Sequence, residues 1–304
     1  MTSLGYYPGC ALKEHATALE FGASTEATLE ALGVELREVP DWNCCGASAG
    51  HMTNTALTRA LNVRNLGLAE AAHMTDVLTP CPLCAKELAL ANHEVRDDPE
   101  LLREATEAAE IEYKGSVRPV TLIEFLYEQR ALIEPRIQIK LPPVHVACYY
   151  GCLHTRPPGA MGFDDTEQPT TMDAVCQLLG LEPVAWSHKT ECCGAGFTMS
   201  KASVVARLTG RILSAAQLAG AEAVVVSCPM CHANLDMRQG EAARDAGEEI
   251  HLPILYLSQV VGLALGIEPK RLSLGTHFVD TSQMVERLLG RAQAPAGADE
   301  PTEG

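Results

Sequence analysis

Ten of the twelve cysteines fall into one pattern written twice. The first set is Cys10, the adjacent pair Cys44 and Cys45 followed by Gly46, and Cys81 and Cys84 in Cys-Pro-Leu-Cys. The second is Cys152, then Cys192 and Cys193 followed by Gly194, then Cys228 and Cys231 in Cys-Pro-Met-Cys. Thiolates select zinc, cuprous copper or iron–sulfur clusters over hard cations. Four of them close a tetrahedral zinc site, so a fifth in each set suits something larger. Adjacent cysteines and Cys-x-x-Cys are poor disulfide geometry and good ligand geometry. The residues read as metal centres with a redox use.

Such centres need elements that carry the thiols to one place. In Cys-Pro-x-Cys the proline fixes the turn and suits the first turn of a helix. That helix start offers free N–H groups and the positive end of its dipole to the thiolates. Gly46 and Gly194 let the backbone bend so that adjacent cysteines diverge, and Gly9 and Gly151 serve close approach. The two sets are offset by 142 residues at Cys10 and Cys152, 148 at Cys44 and Cys192, and 147 at Cys81 and Cys228. Their flanks agree too, which points to internal duplication of one unit.

Strand-like segments alternate with helical ones in each copy. Leu4 to Tyr7, Val34 to Val39 and Asp76 to Thr79 read as strands, with helices over Thr17 to Leu32, Thr55 to His73 and Ala85 to Val95. The second copy repeats this with strands at Val144 to Tyr150, Pro183 to Trp186 and Ala223 to Ser227, and helices at Thr171 to Leu179 and Lys201 to Ala219. Leu252 to Gly266 reads as a buried helix, and Leu132 to Pro143 as the connection between copies. The expected fold class is α/β, with two pseudo-equivalent Rossmann-like halves from a duplication, each carrying a cluster-binding cysteine set at strand ends. The expected divisions are 1–140 for the first half, 141–291 for the second and 292–304 for a disordered tail.

The formal charge of -16 and the lack of any Lys/Arg-rich block exclude nucleic acid as a partner. Met1 to Tyr7 is short, uncharged and unlike an export signal, so the expected location is the cytoplasm. Leu252 to Gly266 is shorter than the ~20 residues of a spanning helix. No membrane span is expected.

Tandem copies of this pattern resemble the CCG domain of the B subunit of heterodisulfide reductases and related bacterial subunits. The resemblance covers nearly the whole chain. It includes A-C-Y-Y-G-C-L-x-x-R-P at Ala147 to Pro157, L-P-I-L-Y-L-S-Q-V-V-G-L-A-L-G at Leu252 to Gly266, and G-T-H-F-V-D at Gly275 to Asp280. It implies that each five-cysteine set holds a noncubane [4Fe-4S] cluster, two in all, with a disulfide bound and cleaved between them. All ten ligand positions are filled. The chain lacks a cubane ferredoxin run, a G-x-G-x-x-G fingerprint and a flavin signature. That absence and the resemblance imply a ferredoxin-like iron–sulfur partner subunit joined to a flavoprotein subunit, with a small disulfide or thiol as substrate.

Outside the sets, His154, Arg156 and Lys189 are candidates to deliver a proton to a departing thiolate or bind an anionic group. For His154 and Lys189 the competing reading is a hydrogen bond that fixes the loop. Cys148 and Cys176 read as core, and His232 as a structural residue at a helix start; His51 and His277 carry no assignment. Two other functions compete with disulfide cleavage: a non-catalytic electron-relay or assembly subunit, and a zinc scaffold using four of each five thiols.

Overall fold

The computed structural model describes residues 2–290 other than 14, 15 and 49, together with all their side chains but those of residues 2 and 51. The tail expected at 292–304 and the His51 side chain lie outside that description. Among the described residues eight strands form two four-stranded sheets, parallel throughout. The first holds β1 (Thr2–Tyr6), β2 (Val34–Glu38), β3 (Asp76–Leu78) and β4 (Arg118–Val120), in the order β2-β1-β3-β4. The second holds β5 (His145–Tyr149), β6 (Glu182–Pro183), β7 (Ala223–Val226) and β8 (Ile254–Tyr256), in the order β6-β5-β7-β8. The Val-rich β7 is buried along its whole length, as a strand covered on both faces must be.

Eight principal helices follow the same plan twice. The first half has α1 (Leu19–Ala31), α2 (Thr55–Ala71), α3 (Pro82–Asp97) and α4 (Leu122–Glu128). The second has α5 (Thr171–Leu179), α6 (Ala202–Leu218), α7 (Pro229–Met237) and α8 (Leu257–Ala264). The strand order decides where ligands can bind. From β1 the chain crosses to β2 on one side, then returns to β3 on the other. A crevice opens at the carboxyl ends where such crossovers diverge. Each half thus has this crevice between its first and third strands.

The duplication and the α/β class read from the sequence are present. Three local readings change. Leu252 to Gly266 is not one helix: β8 occupies its first part and α8 the rest, because Pro253 and the buried Ile-Leu-Tyr run favour a strand beside β7. Pro183 to Trp186 is strand only at Pro183, the second residue of β6, although Val184 N–H still bonds Val146 C=O at 2.9 Å. Leu132 to Pro143 starts as a short helix (Arg130–Ile133) and a 3-10 turn, then ties to the second half through Gln138 and Ile139 N–H groups on Ala264 C=O. Among the described residues no helix is long and apolar enough to cross a membrane.

The halves exchange their last helices. α4 of the first packs on α5 of the second, and α8 of the second packs on α1 of the first. Small side chains let α1 and α8 approach closely: Ser24 Oγ lies 2.7 Å from Ser258 Oγ, and Thr28 Oγ1 donates to Ser258 C=O at 2.8 Å. At Gly262 an added Cβ would stand 2.5 Å from Leu272 Cδ2 and 3.0 Å from Thr28 Oγ1. Overpacking of this kind costs about 1–3 kcal/mol. Gly262→Val is expected to lower stability by that amount, in one transition that unfolds both halves together. Urea denaturation followed by circular dichroism and by limited proteolysis of each half measures it.

Candidate metal centres

Each cysteine group leaves the carboxyl end of a strand. Cys10 follows β1, Cys44 and Cys45 follow β2, and Cys81 follows β3; Cys152, Cys192 with Cys193, and Cys228 follow β5, β6 and β7. Since β1 lies between β2 and β3, three loops converge over one crevice. All ten thiols are free, and the structure brings each set of five together. The adjacent cysteines diverge as their glycines allow. Cys44 Sγ faces Cys10 Sγ at 4.0 Å while Cys45 Sγ faces Cys84 Sγ at 3.1 Å. Cys193 Sγ meets Cys231 Sγ at 3.6 Å.

The supports repeat as well. Tyr7 hydroxyl donates to Asn43 C=O at 2.7 Å, and Tyr149 hydroxyl donates to Glu191 C=O at 2.7 Å. Each thus pins the residue just before Cys-Cys. Gly9 and Gly151 adopt φ of +66° and +68°, and a Cβ on either would lie 3.0 Å from the sulfur of Cys84 or Cys231. Cys81 and Cys228 are the residues from which α3 and α7 start, each followed by proline, and Cys231 N–H reaches Cys228 Sγ at 3.4 Å. The carbonyl of the second adjacent cysteine is held differently in the two halves. Asn62 of α2 donates to Cys45 C=O at 2.9 Å, whereas Asn234 of α7 donates to Cys193 C=O at 3.2 Å.

Electrostatics separates the thiols into two kinds. A hydrogen bond from Cys84 holds Cys45 below the usual thiol range, and one from Cys231 does the same for Cys193. Cys192 is brought down to about 6, first by Cys152 and then by the N–H groups of Gly194 and Ala195. Their partners Cys84, Cys152 and Cys231 are pushed up, since each supplies the shared proton beside a neighbouring negative charge. Exposure is graded too: Cys10, Cys44 and Cys192 reach solvent, and Cys152 partly does, while the remaining thiols are buried. Each set has a closed floor and one open edge.

These sets suit a soft metal. A tetrahedral zinc site with bonds of about 2.3 Å has sulfur–sulfur edges of about 3.8 Å, close to several contacts here, but it uses four thiols. The fifth thiol in each half exceeds that need.

His154 is fully buried, with Nε2 3.1 Å from Ser227 C=O; the carbonyl accepts, so Nε2 carries the hydrogen. Among the described residues its Nδ1 has no partner, and burial lowers its pKa to about 4, keeping the ring neutral. Arg156 turns to Thr190 C=O at 3.1 Å and to Glu167 at 2.6 Å. Lys189 binds Pro169 C=O at 3.0 Å and Asp173 at 2.5 Å, which fixes the loop. Cys148 and Cys176 are buried in the core, 3.8 Å apart.

His232 stacks on Tyr256 at 4.1 Å, and its Nε2 lies 3.2 Å from His277 Nδ1. With Asp236 these histidines form a compact group of metal-ligating type. Hydrogen bonding already commits it. Gln259 Oε1 accepts from Tyr256 N–H and its Nε2 donates to Leu272 C=O, so Nε2 also donates to His277 Nε2. His277 then carries its hydrogen on Nδ1 and gives it to His232. Asp236 accepts from the N–H groups of Phe278 and Val279. The network fastens the C-terminal segment to α7. Its partners are too far apart in the sequence for periodicity to reveal.

Residues 4–89 and 146–236 each match the family model described as the cysteine-rich domain, CCG. The chain belongs to this family. It is 32% identical, over 92% of its length, to the 8-methylmenaquinol:fumarate reductase membrane anchor subunit of Wolinella succinogenes, and the match spans 98% of that protein. It is 29% identical, over 95% of its length, to the B subunit of the ferredoxin/F(420)H(2)-dependent CoB-CoM heterodisulfide reductase of Methanosarcina acetivorans, spanning 97% of that protein. A hypothetical protein from Helicobacter pylori shares the fold, with a TM-score of 0.70 and 14% identity over 91% of this chain. The present chain spans about half of that one (52%). The tandem CCG likeness to heterodisulfide reductase B subunits therefore holds.

Gly9→Ala and Gly151→Ala test the symmetry of the two CCG sets. Each forces an alanine into the left-handed region, at about 1–2 kcal/mol, and crowds one thiol. Each variant is expected to lose metal from one half and keep it in the other. Metal analysis per chain, compared with the double variant, measures this.

Proposed function

We propose that this chain is the catalytic subunit of a heterodisulfide reductase-like complex, cleaving or forming a disulfide between two noncubane [4Fe-4S] clusters. In this reading Cys10, Cys44, Cys45, Cys81 and Cys84 hold one cluster and Cys152, Cys192, Cys193, Cys228 and Cys231 the other. The observation that carries it is the presence of two complete five-thiol sets, each with the same paired sulfurs and the same open edge. The family and the B-subunit relatives support the iron–sulfur assignment. When bound, two such clusters supply paired one-electron chemistry at iron atoms that can each take one sulfur of a disulfide.

The chain's own residues do the rest. The exposed Cys10–Cys44 edge and the partly exposed Cys152–Cys192 edge admit the disulfide, and the buried Cys-Pro-x-Cys thiols keep water from the floor. The reaction balances as one disulfide, two electrons and two protons giving two thiols. Electrons come from a ferredoxin-like iron–sulfur subunit, itself supplied by a flavoprotein, since the chain has no nucleotide or flavin motif. His154 is proposed as a neutral buried acceptor that orients a proton beside Cys152 and Cys228. Arg156, bound to Glu167 at the surface, would shape the entrance near Thr190.

The likeness to a membrane anchor subunit of a fumarate reductase favours a second reading, an electron-relay subunit that carries clusters without cleaving a disulfide. Turnover separates the two. Anaerobically prepared protein is expected to contain about eight iron and matching sulfide per chain. It should reduce a disulfide when given a low-potential donor. Cys193→Ala should lose about half the iron and all disulfide turnover. Full iron with no turnover of any disulfide or dithiol would favour the relay, and zinc without sulfide would sink both.

A further inference from the structure

Eight large apolar side chains are exposed among the described residues, and five of them stand at the thiol end of the sheets, where the strands finish and the following helices start. Met52 and Leu57 follow the first Cys-Cys pair, Phe197 and Met199 follow the second, and Leu19 opens α1 after the Cys10 loop. Single apolar residues scattered over a surface need no explanation, whereas a group of them around one edge marks a contact site. The grouping also repeats with the duplication. Met52 and Met199 are 79% and 97% exposed and are offset by 147 residues, the offset that relates α2 to α6. Each stands just before the helix that follows its Cys-Cys pair.

Backbone hydrogen bonds tie these segments to the thiols. Gly194 N–H reaches Cys192 Sγ at 3.3 Å, and Gly194 C=O accepts from Phe197 N–H at 2.8 Å. In the first half Gly46 C=O accepts from Gly50 N–H at 2.8 Å, and Gly50 C=O accepts from Asn54 N–H at 2.9 Å. Met52 rides on that turn. A methionine side chain is unbranched and polarizable, which suits contact with an apolar ligand of adaptable shape.

The charges on the same loops point the same way. Residues 7–18, 39–54, 79–81, 150–170, 184–201 and 227–228 together carry six Asp and Glu against four Lys and Arg. Lys13 pairs with Glu38 at 2.5 Å, Arg156 with Glu167 at 2.6 Å and Lys189 with Asp173 at 2.5 Å. Lys201 is the one cation of these loops without an ion pair among the described residues. An anionic substrate would meet an acidic edge whose cations are already taken, and a charge set against apolar side chains without a partner is costly.

We propose that Met52 and Met199, with Leu57 and Phe197, form an apolar rim that selects the substrate: a disulfide whose two halves are uncharged and apolar, one half against each methionine. This rests on the disulfide reading above and narrows its substrate class. A rim doubled with the thiol sets suits a molecule that delivers one sulfur to each set, whereas a protein docking on one face needs no such matching.

The test uses the cluster-loaded full chain and three disulfides of similar length: di-n-propyl disulfide, bis(2-hydroxyethyl) disulfide and 3,3′-dithiodipropionate. With a reduced viologen as donor, kcat/KM should be higher by about tenfold or more for the dipropyl compound than for dithiodipropionate, with the hydroxyethyl compound between them. Met52→Ser and Met199→Ser should each lower that ratio by about fivefold, mainly through KM, and Met52→Leu and Met199→Leu should keep it. Calorimetric titration of the oxidised chain with dipropyl disulfide, without a donor, should show Kd rising by a similar factor in the serine variants. Both side chains lie in solvent, so iron and sulfide are expected to stay at wild-type levels; iron lost from the serine variants would overturn the rim by making the methionines structural. A preference for dithiodipropionate would overturn it too. So would a ratio and a Kd unchanged in the double serine variant, which would assign these side chains to a protein contact. Dipropyl disulfide that binds, and binds more weakly to the serine variants, with no turnover of any of the three would refute the disulfide reading and leave the apolar rim standing.

Discussion

Everything in this molecule depends on holding five thiols close together without letting them pair off. Five sulfurs from three separate loops repel when ionised and oxidise when free, so their directions must be set by the backbone. The parallel sheet does this. Because β1 lies between β2 and β3, and β5 between β6 and β7, the thiol loops start as neighbours at one edge. A tyrosine hydroxyl then fixes the carbonyl before each Cys-Cys pair, and a glycine before Cys10 and Cys152 makes room for a sulfur from the third loop. The two adjacent cysteines separate to different partners, which no disulfide framework would need.

The halves are less independent than their sequence similarity suggests. α4 and α8 each cover a helix of the other half, so the relative placement of the two thiol sets follows from core packing rather than from a linker. Phe21 of α1 stacks on Tyr256 at 4.4 Å, and Tyr256 stacks in turn on His232, next to Cys231. The same tyrosine donates to Glu20 at 3.2 Å. A displacement of α1 is thereby felt at the start of α7. For chemistry that needs two centres at a fixed separation, such mutual packing is the physical requirement.

The sequence revealed the thiol sets, the duplication and most strands because each left a local mark: Cys-Pro-x-Cys at a helix start, glycine after Cys-Cys, valine runs in β7. β4 and β8 escaped because each is three residues long and flanked or interrupted by proline, Pro119 and Pro253, which reads as a break. β8 was further hidden by merging with α8 into one apolar run. The His232–His277–Gln259 network and the hold of Asn62 on Cys45 left no local mark at all. They join residues 17 to 45 positions apart, and only the fold supplies the adjacency.

Duplication gives two similar sets of ligands, and divergence has then made their surroundings unlike. Asparagine holds the second adjacent cysteine in both halves, but from α2 in one and α7 in the other. The position of Asn234 is thereby freed in the first half, where Glu87 stands, and the space beside it stays open and charged. In the second half Thr198 Oγ1 donates to Asn234 Oδ1 at 3.0 Å, and the buried titratable groups include His154, Lys189, His232 and Asp236. A buried carboxylate paired with Lys86 in one half and a buried neutral imidazole in the other give the two thiol sets different surroundings. The difference between the halves lies in the residues that surround the thiols, which orient them, rather than in the thiols themselves.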